Sequence, residues 1–297
     1  MAGLGGRPLG PKAARKLLLK HVKKAQQCLT ARPGDEEIHA ARKRIKKARA
    51  MLRLLEPSLG ASPWKRTERA LRAAARPLGA VRDSKILTET FDRLMESHAA
   101  LRLKGRAHLH QALERHHREV RAAVSRNRDG VAASRRALQR ARKACDGALQ
   151  GGRRALLGSP GRLYRAGRRA FAASRREAAV DTLHAWRKCA KYLSHQLEAL
   201  SLHCSPETGE LARELHSLSD ELGEDHDLAM LRVHLACHPE ALADAQERRD
   251  LVRLIEQARL ERQERVLRNA ARLYARRPKA FRNDLEAGCQ RAARPAP

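Results

Sequence analysis

Aromatic residues are scarce in this 297-residue chain: three Phe, three Tyr and two Trp, 3% of the total. So few flat rings leave little with which to stack nucleic-acid bases. Acidic residues are few beside the basic ones, 33 Asp and Glu against 63 Lys and Arg, and the net charge is +30. So lopsided a charge costs self-repulsion in the compact state and reads as a surface made for polyanions. No apolar stretch approaches the roughly 20 residues a membrane span needs, and the Leu17–Leu19 run is flanked by Lys on both sides. Met1–Gly10 holds one Arg and four Gly and lacks the apolar run of a signal peptide. Cys28, Cys145, Cys189, Cys204, Cys237 and Cys289 form no Cys-x-x-Cys pair. They read as reduced, small, mostly buried side chains of a cytoplasmic protein. β-branched residues are sparse and no alternating apolar pattern stands out, which argues against a sheet.

What remains is helix-forming. Hydrophobic residues make up 42% of the chain, enough for a packed core. Ala, Leu, Arg, Lys and Glu dominate nearly every segment. Breakers fall at wide intervals: Pro33-Gly34, Pro57 to Pro63, Pro77-Leu78-Gly79, Asn127 to Gly130, Gly147 to Gly161, Ser205-Pro206, Leu222-Gly223, Pro239 and Pro278. The segments between them have helix length, and the fold class is all-α.

The chain also repeats itself. A shift of 145 lays Lys20, Lys23 and Lys24 on Arg165, Arg168 and Arg169, and His39, Arg42, Lys43 and Lys46 on His184, Arg187, Lys188 and Lys191. A shift of 144 lays Leu78-Gly79-x-x-Arg82-Asp83 on Leu222-Gly223-x-x-His226-Asp227. This divides residues 11–293 into a first helical bundle at 11–127 and a second at 155–293, joined by a basic linker at 128–154.

The most informative segment runs from Asp35 to Glu56. Asp35, Glu36 and Glu37 favour the positive end of a helix macrodipole, and Pro57 ends the segment. Ile38, Ala41, Ile45, Ala48, Leu52 and Leu55 form one stripe at helical spacing, and Leu183, Trp186, Ala190, Leu193, Leu197 and Leu200 match it in the second copy. These are the expected core faces. His39, Arg42, Lys43, Lys46, Arg49 and Arg53 form a second stripe within about 120° of arc beside the first. From His39 to Arg53 there are seven Lys or Arg and no acid. Solvated faces normally mix signs, so this stripe is expected to face a ligand. Arg supplies a planar fork for phosphate oxygens and Lys a compact point charge.

The repeated His-x-x-Arg-Lys-x-x-Lys pattern resembles the signature of the CHAD domain, the conserved histidine α-helical domain. The Leu-Gly-x-x-Arg-Asp turn and Arg276-Arg277-Pro278-Lys279-Ala280-Phe281 are similar to that family as well, and the resemblance runs from about Ala14 to Gln290. It implies two pseudo-symmetric four-helix bundles around a basic cleft that binds inorganic polyphosphate without catalysis, in a stand-alone member of the family. The binding residues expected are Lys20, Lys23, Lys24, His39, Arg42, Lys43, Lys46, Arg49, Arg53, Arg82, Arg165, Arg168, Arg169, His184, Arg187, Lys188 and Lys191. The implied partners are polyphosphate itself, its granules and their associated proteins, with no membrane. The second copy has Ser194 and Glu198 where the first has Arg49 and Arg53, so the first bundle is expected to bind more strongly.

The alternatives are narrower. Nucleic acid is the second partner class, because counterion release rewards a +30 chain whatever its polyanion; no helix-turn-helix is visible. His226-Asp227 is the dipeptide of HD metal phosphohydrolases, but its counterpart is Arg82-Asp83, so it reads as a structural turn. There Leu-Gly would end one helix, and Asp83 or Asp227 would cap the next or pair with a motif Arg. One His group (His108, His110, His116, His117) and a second set (His234, Cys237, His238) each lack a clear fourth metal ligand. No phosphate-binding Gly loop, nucleophile elbow or paired-carboxylate cleft is present. No cofactor, no metal and no catalytic residue is expected.

Overall fold

A computed structural model describes residues 9–98, 102–126 and 130–292. The chain order is α1 (Pro11–Cys28), α2 (Asp35–Leu55), α3 (Ala61–Ser97), α4 (Arg106–Arg126), α5 (Val131–Ala144), α6 (Arg153–Arg176), α7 (Val180–Ser201), α8 (Pro206–Cys237), a 3₁₀ turn (Pro239–Leu242), α9 (Ala245–Leu273) and α10 (Pro278–Arg291). Among the described residues there is no strand; one isolated antiparallel bridge joins Leu59 and Leu149. The class is all-α.

Local chemistry starts these helices. Proline occupies the first helical position of α1, α8 and α10, where its missing N–H costs nothing. Asp244 caps α9 by accepting from the backbone N–H groups of Gln246 and Glu247. Two of the expected breaks are absent. Pro77-Leu78-Gly79 lies inside α3 and Leu222-Gly223 inside α8, so Asp83 and Asp227 cap nothing. A helical Gly costs about 1 kcal/mol and the interior Pro77 about 3 kcal/mol, and burial of Ala74, Leu78 and Val81 around the first site offsets them. α6 likewise runs through Gly158, Pro160 and Gly161.

The packing closes two rings of four. α1, α2, α3 and α5 each pack on the next and α5 returns to α1; α6, α7, α8 and α9 close in the same way, with α10 laid on α6. The fourth helix of the first ring is therefore α5, inside the stretch read as a linker. Its Ala137, Leu138 and Ala141 are buried. The boundary placed at 127/128 and the outer limit at 293 lie outside the described residues.

All twelve residues of the two apolar stripes are at most 3% exposed. They belong to one hydrophobic cluster that runs through both halves, from Leu9 to Cys289. A second cluster gathers Leu87, Phe91 and Leu94 of α3 with Leu228, Leu231 and Leu235 of α8 and Leu251 and Ile255 of α9. The long helices α3 and α8 thus pass from one core into the other, leaving the first at Val81 and Leu222 and entering the second at Leu87 and Leu228. Ser159 Oγ donates to the Arg53 carbonyl at 2.9 Å, and Gln196 Nε2 donates to that of Ala50 at 3.2 Å. These bonds tie the halves across their buried seam.

The cysteines depart from expectation. Cys204 and Cys289 form a disulfide that joins α10 to the turn between α7 and α8. Of the four free cysteines only Cys145 is fully buried, and Cys237 is exposed. Spacing alone carried no sign of a bridge whose ends lie 85 residues apart.

Candidate functional site

The two rings meet along α2, α3, α7 and α8, and a cleft of about 400 Å³ opens there. His39, Arg42, Lys43 and Lys46 enter it from α2; Arg82 and Arg93 from α3; Arg187, Lys191 and His195 from α7; and His216, Asp220, Glu224 and Asp227 from α8. Lys and Arg outnumber Asp and Glu in its lining seven to three. The cations of the two repeated motifs, Lys188 excepted, therefore share one site.

The Leu-Gly pairs explain how the arginines fit. A Cβ on Gly79 would stand 3.2 Å from Arg42 Nη1, and one on Gly223 would stand 2.9 Å from Arg187 Nη2. In both halves the guanidinium of the motif Arg reaches the neighbouring helix at the position without a side chain. The glycines are not breakers. They are the floor on which each guanidinium rests. Arg42 also donates to Asp83 at 3.3 Å, so the expected pairing of this Asp with a motif Arg is found. Arg187 Nε donates to the Ser219 carbonyl at 3.4 Å.

A family model for the CHAD domain matches residues 13–236. This chain belongs to the CHAD family. The crystal structure of the CHAD domain from the plant Ricinus communis is similar to it with a TM-score of 0.60, over 93% of this chain and 90% of that one, at 17% identity. At that identity the likeness is one of fold. A search of curated proteins finds no match.

The electrostatics of the CHAD cleft are those of crowded cations. Lys46 has its pKa pulled down to about 8, first by burial and then by Arg42, Arg187 and Lys191. Its side chain is open to solvent along the cleft, but the walls around it displace much of the bulk water. Arg42 is lowered by burial and by Arg82 and Arg187, and Asp83 opposes the shift. His39 is lowered by burial and Arg82, so it presents a neutral imidazole near neutral pH. Some charge is matched: Lys191 reaches Asp220 at 2.8 Å, Arg82 reaches Glu89 at 2.8 Å, and Glu224 pairs with Arg262. Among the described residues, no ion pair engages Lys43 or Lys46.

Not every expected residue joins this site. Arg49 donates to Glu68 at 2.7 Å. Arg53 lies 3.7 Å from the same carboxylate and 4.1 Å over the Tyr192 ring. Neither lines the cleft. Glu198, the second-copy counterpart of Arg53, instead pairs with Lys47 at 2.6 Å. Lys20 lines a different groove with Lys16, His21 and Lys47; Lys23 is exposed and Lys24 half-buried on α1. Arg165, Arg168 and Arg169 line a separate cavity on α6. Lys188 is exposed outside the cleft lining. His184 packs on the His226 ring at 5.0 Å, and both rings have a buried Nδ1 without a partner.

Sequence reasoning missed Arg93, His195, His216, Asp220 and Glu224. Arg93 stands eleven residues, three helical turns, beyond Arg82, and that spacing was the available signal. The two histidine groups prove to be neighbours: His116 meets His234 at 4.8 Å and His238 at 5.9 Å. Among the described residues no group of three His, Cys, Asp or Glu is disposed to hold a metal ion. No described helix is long and apolar enough to cross a membrane.

Proposed function

We propose that this CHAD protein binds inorganic polyphosphate in the cleft between its two rings and catalyses nothing. The observation that carries the reading is the meeting of Arg42 and Lys46 with Arg187 and Lys191, where burial first and then like charges depress the Lys46 pKa. Positive groups forced together in a walled site form a standing potential for a polyanion. A chain of phosphates without bases suits such a site better than nucleic acid does, because the cleft lining contains no Phe, Tyr or Trp. On this reading the protein is cytoplasmic in spite of the Cys204–Cys289 bridge, and its partners are polyphosphate granules and the proteins on them.

The test is competition of long-chain polyphosphate against RNA and duplex DNA of equal phosphate concentration at several salt concentrations. Polyphosphate should displace both, and Arg42→Ala with Lys46→Ala should weaken its binding and flatten the slope of log K against log salt. Pyrophosphate should hold the cleft far more weakly, since it reaches only a few cations. RNA that displaces polyphosphate charge for charge would replace this reading with the nucleic-acid one. Steady release of phosphate by pure protein, with or without Mg²⁺, would overturn the non-catalytic part.

A further inference from the structure

The arginines of the first helix of the second ring, expected to extend the basic stripe, instead surround a cavity of their own. It has a volume of about 610 Å³ and shares no residue with the central cleft. Arg165, Arg168, Arg169 and Arg175 line it from α6, at spacings that put all four on one face of the helix. All four are exposed, and the lining contains no acid. The central cleft, by contrast, has three acids in its walls.

The opposite wall leaves room and adds polarity. It is built from the end of α9 and the start of α10, with Ala271 and Ala275 giving a small-residue surface and Pro278 the corner. Pro278 is the first residue of α10; no side chain caps that end, and its first turn holds no acid. The positive end of a 14-residue helix therefore opens beside four arginines without a counter-charge of its own. Two of the arginines are held in place. Arg168 Nε donates to the Tyr274 carbonyl at 3.1 Å, and Arg175 lies 6.0 Å from the centre of the buried Phe171 ring. A fork anchored in this way loses less freedom on meeting an anion.

We propose that this cavity is a second anion site, built for a compact group of two or three linked phosphates. Several planar forks converging on one small volume suit the closely spaced oxygens of a di- or triphosphate. An extended chain suits the open cleft. The same group is offered by inorganic triphosphate and by the tail of a nucleoside triphosphate. The proposal does not depend on what fills the cleft.

Calorimetric titration with inorganic triphosphate, in parallel with ATP, tests it. Arg165→Ala with Arg169→Ala removes two exposed forks and should weaken triphosphate binding about tenfold or more. Arg42→Ala with Lys46→Ala in the cleft should leave the tight triphosphate site in place. Tighter binding of ATP would assign the nucleotide as the source, and tighter binding of bare triphosphate the inorganic chain; either supports the site. An unchanged affinity in the Arg165/Arg169 variant would overturn the proposal. So would an equal loss from Arg249→Ala with Arg253→Ala at the far end of α9, which would reduce the effect to general attraction. Circular dichroism of each variant checks that the helices remain.

Discussion

Glu68 decides what Arg49 and Arg53 can do. Its carboxylate is buried, and Arg49, Arg53 and Arg72 surround it. Burial alone would raise its pKa, but the guanidinium bonds hold it below the usual carboxylate range. Removing Arg49 leaves a buried acid with two weaker partners, so Arg49→Ala should cost about 1–3 kcal/mol in urea unfolding. Polyphosphate affinity should hardly move, because the residue does not line the cleft. A large loss of affinity with unchanged stability would reverse that assignment. Lys46 has the opposite character. Its pKa is about 8 in the folded protein against the ordinary lysine value of 10.5. Between those limits the unfolded chain binds the extra proton, so stability rises with pH across that window. Lys46→Met should therefore raise Tm at pH 7, and the gain should fade as pH climbs toward 10.5. Polyphosphate affinity should fall in the same variant. A Tm gain that is flat with pH would show that the ammonium is not strained.

At the scale of the helix, apolar periodicity was legible and punctuation was not. The Ile38–Leu55 and Leu183–Leu200 stripes could be read because a core face repeats with the turn of the helix. Gly79 and Gly223 were misread as ends because a Gly has the same local appearance whether it breaks a helix or makes room for something. What it makes room for lies 37 residues back in one half, at Arg42, and 36 back in the other, at Arg187. No local window holds that partner. The stripe itself was read too far for a similar reason: Glu68 and Tyr192, which claim Arg49 and Arg53, belong to other helices. The two uses of glycine separate in one variant. Gly223→Ala improves helix propensity by about 0.5–1 kcal/mol, while its new methyl group pushes the Arg187 fork off α8. Stability should hold or rise and polyphosphate affinity should drop several-fold, measured side by side by thermal melting and titration. Unaltered affinity would mean that the fork has no role in the cleft.

Across the whole molecule, family and fold class were legible because the repeated motif and the helix-forming composition are properties of the entire chain. The join was not. The fourth helix of the first ring came from the stretch taken for a linker, since the basic residues of α5 hide the short Ala137–Leu138–Ala141 stripe that docks it. The same scale shows where the cleft stands. Arg82 and Ile86 fall on α3 between the residues that leave one core and enter the other, and Gly223, Glu224 and Asp227 fall at the matching gap on α8. Two rods cross from core to core, and at the crossing their apolar cover is thinnest. An unliganded molecule should breathe there first, and amide protons near residues 82–86 and 223–227 should exchange faster than those of the flanking turns. A polyanion laid across the gap would act as a splint. Hydrogen exchange with and without polyphosphate should show protection concentrated in those two short segments, so that the ligand is recorded as a stiffening of the protein's waist.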